Sequence, residues 1–126
     1  MNPYCIYWMR KNVNQEVFIQ FIIMVQSIVE NVNIKNTDST LTFEDPLGIG
    51  ELFHVLKYGY EKYNFCTTHE NPYTKNVMKC IILMVELGMA TEVISHNNKD
   101  FLEILDEVNS VFNLVSYDQQ KVNYSK

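Results

Sequence analysis

Residues 77–87, VMKCIILMVEL, form a run of helical length that is apolar around almost its whole circumference. Wound at about 100° per residue, Lys79 and Glu86 fall on nearly one line, and every other direction carries Val, Met, Ile, Leu or Cys. A helix of that kind is either wrapped by other elements or immersed in lipid. The run is too short to span a bilayer, which needs about 20 residues. It is therefore expected to be the central helix of a small soluble bundle, and the expected fold is all-α, one domain over residues 1–126.

Composition fits that reading. A chain of 126 residues with 47% hydrophobic and 13% aromatic residues can bury a core without metals or disulfides. Net charge is −5, and Arg10 is the only arginine, so phosphate-backbone binding has no electrostatic footing and no nucleic-acid partner is expected. Cys5, Cys66 and Cys80 are odd in number and unpatterned, as in a reducing, intracellular compartment. The first residues, MNPYCIYWMRKN, do not read as a signal peptide, and the polar SYDQQKVNYSK end offers no membrane anchor. Fourteen asparagines against a single alanine suggest an AT-rich genome, such as that of a large DNA virus, a low-GC bacterium or a protozoan.

Periodicity gives the expected elements. Residues 4–11 read as a short helix, and Asn14 as the cap of a second helix of about 18 residues with Val17, Phe18, Phe21, Val25 and Ile28 inward. Residues 33–45 read as a loop. Asp45-Pro46 then resembles a cap followed by a first-turn proline, opening a helix with Ile49, Leu52, Phe53, Leu56, Tyr60 and Tyr63 on one face. Gly59 lies at the edge of that stripe, where a close approach is possible. Asn71-Pro72 opens the central helix, expected to run to about Val93, and a last helix follows Asn97-Asn98. Its core face is Phe101, Ile104, Leu105, Val108, Val111, Phe112 and Val115, with Leu102 and Leu114 left outside.

No constellation carries an enzyme signature. Cys66-x-x-His69 has the spacing of half a zinc site, but His54 and His96 are isolated and no second pair completes it. Cys66 with His69 is also the one local thiol–base pair, and it has no oxyanion loop beside it. Gly48 and Gly50 form G-x-G without the rest of a phosphate signature, and Glu103, Asp106 and Glu107 lie on an exposed helix face. No catalytic residue, metal ligand or cofactor is assigned. Ile19, Ile23, Leu102, Leu114, Tyr4, Tyr7 and Trp8 exceed what one small core needs and suit a protein interface.

The helix pattern, with Ile6-Tyr7-Trp8-Met9-Arg10-Lys11-Asn12 ahead of a long apolar helix, Asp45-Pro46-Leu47 ahead of another, and Cys80-Ile81-Ile82 with Gly88 in the centre, resembles the small poxvirus proteins with a Bcl-like (B-cell lymphoma 2 type) fold. Ile6 and Trp8 match the N-terminal Tyr-Ile-x-Trp-Arg-Asn of that family, while Met9 and Lys11 interrupt it. The resemblance implies a non-enzymatic virulence factor of the host cytoplasm that blocks innate signalling on the NF-κB and interferon-induction routes. The alternative it implies is an anti-apoptotic protein that captures pro-death helices in a groove, here Phe21, Val25, Leu52, Phe53, Leu56, Tyr60 and Ile81. It also implies a homodimer, through Tyr4, Tyr7, Trp8, Leu102, Asp106 and Asn109. Host signalling or apoptotic proteins are the expected partners. Rival readings are a small thiol or metal enzyme using Cys66 and His69, and a structural subunit of a larger assembly.

Overall fold

The computed structural model describes residues 3–69 and 72–126. In chain order the elements are β1 (Pro3–Arg10), α1 (Gln15–Ile28), β2 (Lys35–Asn36), β3 (Thr40–Phe43), β4 (Phe53–Leu56), β5 (Tyr63–His69), α2 (Pro72–Glu86), β6 (Ala90–Ser95), α3 (Asn98–Phe112) and α4 (Tyr117–Tyr124). The strands form two antiparallel three-stranded sheets, ordered β5-β1-β6 and β2-β3-β4. The all-α, Bcl-like expectation is therefore corrected: the chain is mixed α/β.

The segment expected as the first helix is the central strand of its sheet. Its side chains alternate, with Ile6, Trp8 and Arg10 buried and Tyr7 exposed, and β-branched and aromatic residues suit such a half-buried ribbon. Tyr7 lies opposite Phe65 on one side and Ile94 on the other. Between Tyr7 and Met9 the register with β6 slips, and Glu92 takes a left-handed φ of 53° at that bulge.

The stretch expected as a helix over 46–63 is also extended. Leu41 and Phe43 on β3 pair with Val55 and Phe53 on β4, and all four are buried. An irregular segment from Glu44 to Leu52 leads into β4, and residues 57–62 connect β4 to β5. Gly59 does accept a close approach, but from the Arg10 guanidinium, which a Cβ there would strike.

Three helices start or lie as their sequence suggested. Asn14 caps α1, its side chain accepting from Val17 N at 2.9 Å, and Asn97 caps α3, accepting from Asp100 N at 3.1 Å. On α2, residues 76 to 84 are all buried, so the apolar run is wrapped on every side, by strands as well as helices: α1 and α3 pack on it, as do β5 and β6. Its end comes earlier than expected. Met89 N bonds to Met84 O at 2.7 Å and Gly88 N to Val85 O at 3.2 Å, with Gly88 at φ 76°. This is the double bond of a Schellman end, and it turns the chain into β6.

The one ion pair among the described residues, Lys79 to Glu107 at 3.4 Å, ties α2 to α3, and Lys79 also donates to Ile28 O at 3.3 Å. At the C-terminal end, Val111 and Val115 are exposed and Leu114 is buried, opposite to expectation. The reason is α4. Glu86 accepts from Val115 N and Ser116 N at 3.0 and 2.8 Å, turning the chain back so that Tyr124 stacks on Phe101 with ring centres 4.6 Å apart.

Both sheets share one core. Trp8 on β1 meets Phe53 on β4 at 6.0 Å, Phe53 meets Phe43 at 5.1 Å, and Phe43 meets Tyr73 of α2 edge-on at 5.7 Å. The inner faces of the two sheets are thus joined by an aromatic chain that ends on the central helix.

Candidate interaction surface

One face of β5-β1-β6 packs on the core, and the other is open. Tyr63, Phe65, Tyr7 and Ile94 project from it with 69%, 59%, 44% and 62% of their surface exposed. Cross-strand pairing places Tyr7 beside Phe65, ring centres 5.9 Å apart, and beside Ile94, while Met9 lies opposite Tyr63 and Thr91. The three strands thus carry one contiguous aromatic and aliphatic patch with Tyr7 at its centre. Its interior carries no charge; the exposed charges nearest in sequence, Lys11, Glu61, Lys62 and Glu92, belong to strand ends, the connecting loop and the bulge. A neutral apolar centre with a charged rim of both signs is how protein interfaces are built. Cys5 extends the same face, its Sγ 3.7 Å from Thr67 Oγ1, and it raises the pKa of Tyr7, whose phenol stays protonated.

The residues expected to line a helix-binding groove do not come together. Phe21, Val25, Phe53 and Ile81 are core residues of α1, β4 and α2. Leu52 is exposed ahead of β4, Leu56 is half-buried at its end, and Tyr60 is fully exposed in the following loop. The expected dimer set is also divided. Tyr7 lies on the open sheet face, Trp8 points into the core, and Tyr4 has a side chain outside the described residues. On α3, Leu102 is half-buried; Asp106 accepts from Tyr117 Oη at 2.6 Å and Asn109 from Leu114 N at 2.8 Å, so both serve the fold.

Phe65, Tyr63, Met9 and Ile94 were not singled out by the sequence as surface residues. The only signal was the alternation Tyr63-x-Phe65 and Tyr7-x-Met9, masked because the outward positions are as apolar as the inward ones.

No group of His, Cys, Asp and Glu able to hold a metal occurs among the described residues. Burial, with Glu51 and Cys5 nearby, pushes the Cys66 thiol up to about 12, so at neutral pH it supplies no thiolate nucleophile. The side chain of His69, its expected partner, lies outside the described residues. No helix among the described residues is long and apolar enough to cross a membrane. One cleft of about 540 Å³ lies beside β2 and β3, with Lys35, Thr42 and Glu44 in its wall, and a smaller apolar one of about 240 Å³ lies between the end of α1 and the start of α2, against Tyr73.

Comparison with known proteins adds no relative: no protein-family model, curated sequence or solved structure matches the chain.

Proposed function

We propose that this chain is a protein-interaction module that docks through the open face of β5-β1-β6, and that the surface it meets there is the same face of a second copy. The observation that carries the reading is the uncharged patch centred on Tyr7, Phe65 and Ile94. Three aromatic side chains of about 150–250 Å² each, exposed to the fractions given above, make the patch roughly 500–600 Å² once Ile94, Met9 and the threonines are included. Two such faces, wholly covered, together bury about 1,000–1,200 Å², the size of a weak, reversible association. Tyr7 on the central strand lets a two-fold axis pass through the patch, so that each copy presents the same residues to the other. The net charge of −5 does not oppose this, because the charges stay at the rim.

Roles in host innate signalling or in capturing pro-death helices were implied by the Bcl-like resemblance and lose that support with the helical bundle. Sedimentation velocity over a range from micromolar to millimolar protein tests the dimer. The expected result is a concentration-dependent doubling of mass that Ile94→Asp and Phe65→Asp each abolish while far-UV circular dichroism is retained. A monomer throughout, or a dimer that survives both substitutions, overturns the reading.

A further inference from the structure

Between β4 and β5 the two sheets are pinned at both ends and open in the middle. At one end Glu51 N bonds to Thr67 O at 2.9 Å, and Tyr73 Oη donates to Glu51 O at 2.6 Å. At the other, Asn12 accepts from Arg10 and from Gly59 N, and Val13 N reaches Lys57 O, latching the 57–62 loop to the end of β1. Between those latches lies a cavity of about 190 Å³, walled by Leu52 and His54 on one side and by the Tyr63–Cys66 stretch on the other.

The walls are not inert. Lys62 O accepts from Arg10 N, and Thr67 O accepts from Glu51 N, which fixes the alternation along β5. Even-numbered residues direct their main-chain groups to β1, and Tyr63 and Phe65 direct theirs to the seam. No backbone partner for either exists there among the described residues. Trp8, 3% exposed, and Asn64, its cross-strand partner, also line this cavity, and Trp8 Nε1 and Asn64 Nδ2 are buried donors without an acceptor. Two orphaned N–H groups at one cavity are costly unless something accepts from them. An anion is a poor occupant, because Glu61 is the only formally charged side chain in the wall.

We propose that the seam between β4 and β5 binds an extended peptide segment of a partner protein, taken up by strand addition along Tyr63 and Phe65. A neutral peptide group supplies paired donors and acceptors for the free edge of β5, and its carbonyls are acceptors toward which Trp8 Nε1 and Asn64 Nδ2, closed to solvent as they stand, can turn. A strand occupies roughly 160 Å³ per residue, from its 3.3 Å rise and its spacings of about 4.8 and 10 Å. The cavity therefore seats about one residue, and the flanking residues of the peptide lie across its mouth. This site adjoins the dimer face and shares Tyr63 and Phe65 with it, but it uses their main-chain edge where the dimer uses their outward side chains.

The test uses the sole tryptophan as reporter. Acetyl-Val-Thr-Val-Thr-Val-amide is titrated to millimolar concentration while the Trp8 indole and the Tyr63 and Phe65 amides are followed by ¹H–¹⁵N NMR. The expected result is a saturable shift of the indole N–H with slowed exchange of both amides. A peptide N-methylated at its central residues gives neither, and Asn64→Leu weakens binding by about 2- to 10-fold, the worth of one hydrogen bond. An indole unmoved at millimolar peptide, or an N-methylated peptide as effective as its parent, overturns the proposal. The comparison of the two peptides uses the unaltered protein, so the outcome does not hang on N64L folding.

Discussion

Replacing Asn76 by alanine removes the clamp that holds the chain as it leaves α1. Asn76, 5% exposed on α2, donates through Nδ2 to Glu30 O at 2.7 Å and accepts through Oδ1 from Glu30 N at 3.1 Å. Both polar groups of residue 30 are thereby satisfied just where the helix has ended and Asn31 turns left-handed at φ 60°. Two neutral bonds at about 0.5–1.5 kcal/mol each give a cost of about 1–3 kcal/mol for Asn76→Ala. Glu30 is exposed, so water reaches the vacated groups and no larger desolvation penalty is added. For a domain of this size that corresponds to a Tm lower by about 3–10 °C. Asn76→Asp keeps the acceptor for Glu30 N but sets a carboxylate against Glu30 O; it costs at least as much at pH 7 and regains part of the loss when acidified. Urea denaturation of the three proteins measures this. A loss below about 0.5 kcal/mol for the alanine variant, with unchanged m-value, refutes the clamp.

The other outcomes follow from single contacts. Glu86→Ala removes the acceptor for Val115 N, Ser116 N and Ser116 Oγ, so native-state hydrogen exchange is expected to speed up across residues 117–124 far more than in α2. Cys66 titrates near 9 in the unfolded chain and is pushed up to about 12 by burial. Its contribution to stability is complete below pH 9 and is lost as pH rises toward 12, and Cys80, raised in the same direction by burial, adds to that alkaline loss. At pH 8 a thiol reagent should accordingly modify the partly exposed Cys5 alone, and all three cysteines only after denaturation. Gly59→Ala pushes the tip of the flexible Arg10 side chain aside and is expected to cost no more than about 1.5 kcal/mol, the worth of its bonding to Asn12, read by thermal melting.

The helices were legible because each rests on a local signal. Asn14 and Asn97 are caps whose side chains make the bonds their positions suggested, and the greasiness of α2 reports its burial directly. The strands were not, for three separate reasons. In β5 the inward residues Cys66 and Thr68 are less apolar than the outward Tyr63 and Phe65, which inverts the usual alternation. From Ile49 to Tyr63, apolar residues fall mostly at intervals of three and four, which imitates a helix, although Gly50 and Gly59 in the same stretch argue against one. In α4 the residues that reach the core are Gln120 and Tyr124, and Gln120 does so by donating to Ile82 O at 3.2 Å, so no apolar stripe advertises the helix. The site suffered the same inversion. An open face as greasy as a core reads, one residue at a time, as core.

Placing the only indole at the boundary between the two sheets makes the intrinsic fluorescence of this protein a local gauge. Any parting of the sheets changes the surroundings of Trp8 while every helix is still intact, whereas fraying confined to α3 and α4 leaves the emission dark to it. An optical melt followed at the tryptophan band therefore reports on one hinge line of the molecule, and circular dichroism on the rest.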